Sequence, residues 1–435
     1  MKSDLEHTST MLGSQNMKSS QRMVSVVEPY ELPEGWKWCR LGDVCRTFSD
    51  GDWIESKDQS TEGIRLIQTG NIGKGTFRDK DDKCRYISEN TFERLNCTEI
   101  FAGDILISRL PEPVGRACII PQLKDRMITA VDCAIVRLFE GAVEKKWFCF
   151  YTQSHVYDGL VKTSCTGTTR LRISRKNLGE IPFPLPPTLA EQQRIVNRIE
   201  SMFAKLDEAK EKAQNVVDGF ETRKAAILHK AFTGELKIEN EKLKEEDWEE
   251  TTLGKCCKLG SGGTPSKSHP EYYENGDIPW LKTGEIDWND IYDAEEKITD
   301  DGVANSSAKM FPAESVVVAM YGMGVTRGRA AIIKKPMTTN QAVCVLQPKE
   351  KLYNKFLFYY FMCNYHKIRE QSVGGNQLNL SGKIIGNFPI KLPPFIFQLS
   401  IVNFLDIIIE KENKAKQAAE AVLEQIDLLK ESILA

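Results

Sequence analysis

Two stretches of the chain carry apolar residues at steps that alternate four and three, the spacing of a helix face packed against a second helix. The first runs through Ile195, Ile199, Met202, Leu206, Ala209, Ala213, Val216, Phe220, Arg223 and Ile227. The second runs through Ile401, Leu405, Ile408, Glu412, Ala415, Ala419, Val422, Ile426, Leu429 and Ile433. Each follows a proline pair, Pro186-Pro187 or Pro393-Pro394, which favours extended backbone and marks a helix start. A helix over 195–227 is about 50 Å long and cannot hide its own stripe. Two such helices in one polypeptide hide each other, and an antiparallel pair would set their domains about an approximate two-fold axis, at opposite ends. Each seam contains one charge, Arg223 or Glu412. Burying either alone costs several kcal/mol, so the register in which the two meet is predicted. That register sets Ala209 against Ile426, Ala213 against Val422, Val216 against Ala419 and Phe220 against Ala415, small facing large.

Ahead of each helix lie short apolar runs of β type, broken by Gly, Pro and Asp. Asp104 to Ser108, Arg116 to Ile120 and Cys133 to Leu138 are answered in the same order by Ser315 to Ala319, Ala330 to Ile333 and Ala342 to Leu346. An aromatic helical stretch follows in each, Lys146 to Tyr151 and Lys355 to Tyr360, and reads as core. Trp36 before Leu41-Gly42 returns as Trp248 before Leu253-Gly254, and Gly115-Arg116 returns as Gly328-Arg329. The chain is therefore an internal repeat. The expected fold is α+β: two repeated mixed β-sheet recognition domains joined by two long helices forming an antiparallel coiled coil. The expected boundaries are a polar, disordered tail or over-called gene start at 1–29, domain one at 30–187, spacer helix one at 188–233, a charged linker at 234–247, domain two at 248–394 and spacer helix two at 395–435.

Composition removes several function classes. The net charge of −3 excludes a uniformly basic binder, so nucleic acid would have to meet local patches. Twelve cysteines without a Cys-x-x-Cys, and five histidines far apart, support no metal site and read as reduced core thiols. No apolar run reaches the ~18 residues of a membrane span and the first residues lack a secretory stretch, which predicts a cytoplasmic protein. Gly260 to Ser268 lacks the glycine that a phosphate loop places directly before Lys267. Leu185 and Leu392 stand before the proline pairs where an adenine methyltransferase needs Asp or Asn for the flipped base. Neither the Pro-Asp of metal nucleases nor a Gly-x-Ser-x-Gly elbow occurs. The chain reads as a binder with no catalytic residue, metal or cofactor of its own.

The segment 162–176 holds five cations, Lys162, Arg170, Arg172, Arg175 and Lys176, and no acid. Arginine forks match phosphates and the O6 and N7 edge of guanine. The corresponding place in the second copy carries Asn376, Gln377 and Asn379, with Lys383 close behind, and amides are the bidentate partners of adenine. One slot filled differently is what two readers of different half-sites would show. Arg116, Arg327 and Arg329 by the Gly-Arg-Ala strands, and Thr264, Ser266 and Lys267 in the Gly-rich loop, are further candidates. Solvated surface charge is the competing reading for each. At the level of the whole chain, the alternative is an interaction scaffold that binds protein instead of DNA.

Three segments carry a family resemblance: Gly262 to Tyr273 with Gly276 to Ile286, Leu185 to Val196, and Ala231-Phe232-Thr233-Gly234-Glu235-Leu236. With them, the chain from about residue 30 resembles the specificity subunit of type I restriction-modification systems. The resemblance implies two target-recognition domains held apart by paired helices and an asymmetric, bipartite double-stranded DNA target. It also implies two modification subunits that methylate adenine with S-adenosylmethionine and, where present, ATP- and Mg-dependent restriction subunits. Helix length would then set the gap between half-sites. Three departures stand out. Asp50 to Ser56 lacks the Gly-Gly-Thr-Pro loop of the second copy, Gln398 to Val402 replaces the Glu-Gln-Gln-Arg-Ile-Val pattern, and Ile433-Leu434-Ala435 stands where the first copy goes on through Lys230 to Leu236. The last departure predicts weaker docking at that end, or a truncated or recombined gene.

Overall fold

A computed structural model describes residues 28–80, 83–167, 171–236, 248–322, 324–374 and 378–434. The tail expected to be disordered lies, up to residue 27, outside the described residues, as does most of the linker. The chain forms two compact units, residues up to 212 with 422 onward, and residues 213–421.

In the first unit β2 (Cys45–Asp50), β8 (Cys133–Leu138), β5 (Ile105–Ser108) and β6 (Ala117–Ile119) form one antiparallel sheet in that order. A second, mixed sheet holds β4 (Tyr86–Ile87), β3 (Ile64–Ile67) and β7 (Met127–Thr129), with β3 and β7 parallel. All four residues of β3 and of β5 are buried, among them Arg65, which pairs with Asp79. β1 (Lys37–Arg40) pairs antiparallel with β9 (Pro182–Leu185), closing the start of the domain on its end.

The second unit repeats the plan. β11 (Cys257–Ser261), β19 (Val343–Pro348), β16 (Val316–Ala319) and β17 (Ala330–Ile333) match the first sheet strand for strand, and β13 (Asp290–Ile291) adds a parallel edge. β14 (Lys297–Ile298), β12 (Ile278–Leu281), β18 (Met337–Thr339) and β15 (Met310–Phe311) form the mixed sheet, and β10 (Glu249–Thr252) pairs with β20 (Pro389–Leu392).

The aromatic stretches are helices, α1 (Lys145–Tyr151) and α4 (Asn354–Cys363), packed into the cores as expected. Tyr151 and Tyr360 donate their hydroxyls to the carbonyls of Pro182 and Pro389, locking these helices to the closing strands. The spacer helices are α2 (Leu189–Asp218), which passes through Gly219 into α3 (Phe220–Phe232), and α5 (Phe395–Ile433). A buried glutamine anchors each start. Gln192 accepts from Glu144 N at 2.7 Å and donates to Ala142 O at 3.0 Å. Gln398 accepts from Tyr353 N and donates to Lys351 O, both at 2.8 Å. The departure noted at Gln398–Val402 therefore keeps the side chain that matters, because a buried amide left without partners costs about 1–3 kcal/mol.

The helices run antiparallel within each unit. In the first, Lys210 reaches Asp427 at 2.9 Å and Lys430 pairs with Asp207. In the second, Arg223 Nε meets Glu412 Oε2 at 2.8 Å, the predicted charged pair, while its Nη2 donates to Val216 O at 2.9 Å. Ile199, Phe220, Ile401, Leu405, Ala419 and Ile426 are buried. Ile195, Met202, Leu206, Val216, Ile227, Ile408 and Ile433 are half-buried. Three seam assignments fail. Ala415 is exposed, and Val422 and Leu429 are 40% and 50% exposed. The half-buried positions lie one residue further on, at Lys416, Leu423 and Lys430, and the ammonium groups of Lys416 and Lys430 sit over the rings of Phe220 and Phe203. A lysine placed over an aromatic ring occupies a seam position under a polar letter.

The charged pair is also less buried than expected, with Arg223 38% and Glu412 21% exposed. Its coupling should therefore be about 0.5–1.5 kcal/mol, between a surface pair and a buried one. A double-mutant cycle of Arg223→Ala and Glu412→Ala, read by urea unfolding, measures it. Additive substitutions would show that the pair contributes nothing to the register.

Candidate nucleic-acid interface

The two slots singled out by sequence are the same piece of architecture. Thr166 and Arg172 exchange backbone hydrogen bonds at 2.8 and 2.9 Å, and Val373 and Asn379 do so at 3.0 and 2.9 Å, so each slot is a hairpin with an equal span. The next residue ties each hairpin to the end of a central strand, Ile173 N to Arg109 O at 3.2 Å and Leu380 N to Met320 O at 2.9 Å. A serine then caps a short helix, with Ser174 Oγ accepting from Asn177 N and Ser381 Oγ from Ile384 N. The backbone is thus held identically while the tips differ in chemistry. Arg170, Asn376 and Gln377 lie outside the described residues.

Around the first hairpin Arg172, about half exposed, pairs with Asp132 at 3.0 Å. Arg175 pairs with Asp50 at 3.3 Å and donates to Phe48 O at 2.8 Å. Asp50 in turn sits 3.2 Å from buried Arg109. These acids hold the guanidinium planes in place before any ligand arrives and lower the local positive charge. Lys162 and Lys176 are exposed beside them. In the second unit Asn379 is half-buried, with its Oδ1 among buried atoms that have no hydrogen-bond partner, together with Ser372 Oγ and Arg327 Nε. Lys383 is exposed on the capped helix that follows.

The other candidates divide. Arg116 is withdrawn: it is 5% exposed, and its guanidinium donates to the carbonyls of Ile72, Leu110, Pro113 and Thr69 at 2.6 to 2.8 Å. Burial pulls its pKa below the usual arginine value. Arg329, its counterpart, is half-buried against Asp287, and Arg327 donates to Leu378 O at 2.6 Å and so supports the hairpin. Thr264 bonds Gln341, Ser266 lies 2.7 Å from Ser268, and Lys267 is exposed, leaving this loop at the surface. Its first-unit counterpart makes the same backbone approach despite its different sequence. A side chain on Gly51 would meet the carbonyls of Thr129 and Ala130 at 2.5 Å, and one on Gly262 would meet Thr339 O at 1.8 Å.

Sequence reasoning missed Trp53, which is 69% exposed on the loop after β2 and lines a groove with Gln59, Gln68 and Arg85. A tryptophan in an otherwise polar loop was the available signal.

Burial pushes the thiols of Cys118, Cys133 and Cys344 up to about 12, so they are inert core groups. Among the described residues no His, Cys, Asp and Glu group could hold a metal, and no helix is long and apolar enough to cross a membrane.

The family model for the type I restriction modification DNA specificity domain matches twice, at residues 33–217 and 245–425. A putative type I restriction enzyme MjaX specificity subunit from Methanocaldococcus jannaschii is 25% identical over 91% of this chain and 92% of its own length. The Escherichia coli EcoR124I/EcoR124II specificity subunit is 31% identical, but over 38% of this chain and only 41% of that protein. The crystal structure of the HsdS subunit from Thermoanaerobacter tengcongensis shares the fold, with a TM-score of 0.64 at 18% identity, covering 93% of this chain and 97% of that one. With two domain matches spanning most of its length, the chain belongs to the type I restriction-modification DNA specificity family.

Proposed function

We infer that this chain supplies sequence recognition to a type I restriction-modification complex: each unit reads one half of a bipartite double-stranded DNA target, and partner subunits do the chemistry. The observation that carries this reading is the pair of equivalent hairpins, one with Arg172 and the other with Asn379 at its closing position. Family members act as recognition components, not catalysts. Two modification subunits carrying S-adenosylmethionine would methylate adenine, and restriction subunits using ATP and Mg2+ would join them on unmodified DNA in the cytoplasm. No membrane partner is invoked.

Mapping methylated adenines genome-wide with and without this gene tests the reading. One asymmetric two-part motif should disappear with the gene, and an unchanged set of motifs would refute it. The protein-scaffold alternative predicts no salt-sensitive binding to duplex, whereas a DNA reader loses affinity linearly in log salt.

A further inference from the structure

One place on the mixed sheets has the same backbone in both units and unlike chemistry. Asp52 N and Gly263 N bond the carbonyls of the matched threonines Thr129 and Thr339 at 2.8 and 3.0 Å, so Trp53 stands where Thr264 does. Leu66 N bonds Arg85 O at 2.8 Å and Trp280 N bonds Glu296 O at 2.9 Å, so Arg85 stands where Glu296 does. Gln68 N donates to Asn71 Oδ1 and Lys282 N to Glu285 Oε1, both at 3.0 Å, which matches Gln68 with Lys282. In the second unit Lys282 and Glu296 close the place with an ion pair. In the first, Gln68 and Arg85 flank an open groove of about 590 Å3, with Trp53 on its wall at 69% exposure.

The groove carries the chemistry of a base reader. Arg85 is exposed and has no ion-pair partner among the described residues. The Gln68 side chain accepts from Asn71 N, which leaves its amide NH2 to donate. Glu55, the acid on the wall, is paired with Lys57 at 2.7 Å, so it does not set the groove against an anionic ligand. An arginine fork matches O6 and N7 of guanine, an amide NH2 donates to a purine N7 or thymine O4, and an indole offers apolar surface to a thymine methyl. The groove also adjoins the first hairpin. Ala130 lines it, and Asp132, two residues further on, holds Arg172 at 3.0 Å. Two residues span at most about 7 Å, roughly two base steps of a duplex.

We propose that Trp53, Gln68 and Arg85 form a second base-reading element of the first unit, contacting positions of its half-site that adjoin those met by the 166–172 hairpin. The inference rests on the reading of each unit as a half-site reader.

Sequencing of methylated adenines in a host carrying the complete complex tests it with Trp53→Ala and Arg85→Ala, both at exposed side chains. A third variant, Gln68→Lys with Arg85→Glu, installs the second unit's ion pair and guards against a truncated chain that fails to fold. Each should lose roughly tenfold to a hundredfold in preference at one or two positions of one half of the motif, beside those relaxed by Arg170→Ala with Arg172→Ala, and leave the other half unchanged. A natural chain that directs methylation to no motif would sink the half-site reading and this inference with it. A natural two-part motif that all three variants leave intact overturns the groove alone. So does a change in the half governed by the second hairpin, or an equal loss of methylation at every site with the motif unaltered, because the groove would then not be reading bases of the first half-site.

Discussion

Arg116→Ala is expected to destabilise the first unit by about 3–5 kcal/mol while leaving the second unit's unfolding unchanged. The guanidinium spends its donors on four backbone carbonyls, those of Thr69, Ile72, Leu110 and Pro113. It therefore stitches the loop after β3 to the loop between β5 and β6. Truncation would leave these oxygens facing a hole in a core whose neighbours Cys118 and Ile107 are fully buried. Lysine should recover less than half of the loss, since a single ammonium cannot reach four divergent acceptors. Urea unfolding of the full chain, followed by a probe in each unit, measures the effect. A variant that unfolds at the natural midpoint but has lost DNA affinity would show that Arg116 is a contact after all.

The burial of Arg116 and the exposure of Arg172 were equally illegible in the sequence. Spacing along the chain shows where a strand ends, but not whether the arginine beside it turns inward. Arg116 precedes β6 and points into the loops, whereas Arg172 closes a hairpin and keeps its side chain about half exposed beside Asp132. Periodicity was enough for the two helices and for the Arg223–Glu412 meeting, because a seam is a one-dimensional pattern. It failed at Ala415 and Leu429, where the neighbouring Lys416 and Lys430 lie over aromatic rings and a binary pattern counts them as polar, and at Val422, where Leu423 takes the half-buried place. The glutamine anchors were visible as letters shortly after the proline pairs, Gln192 after Pro187 and Gln398 after Pro394. Their role depends on carbonyls of Ala142 and Lys351, about fifty residues earlier, and such long-range bonds leave no local pattern.

Removing the first hairpin's arginines, Arg170→Ala with Arg172→Ala, is expected to relax recognition of one half of the DNA target, while Asn376→Ala with Asn379→Ala relaxes the other. A bidentate side chain on a base edge contributes about 1–3 kcal/mol of discrimination, so each double variant should lose roughly tenfold to a thousandfold in preference at its own positions. The two kinds of tip also predict different salt behaviour. Amides carry no charge, so the asparagine variant should keep the natural slope of log affinity against log salt. The arginine variant should lower that slope by up to about two phosphates if its guanidiniums touch backbone, and leave it unchanged if they read only bases. Asp132 sharpens the distinction. It already pairs with Arg172 at 3.0 Å, so Asp132→Asn frees a cation and should raise affinity for duplex of any sequence without changing the motif that is methylated. Sequencing of methylated adenines in a host carrying each variant reports the two halves of the motif separately. If both double variants altered the same half, or neither altered any, the hairpins would be surface turns and the bases would be read elsewhere in the units.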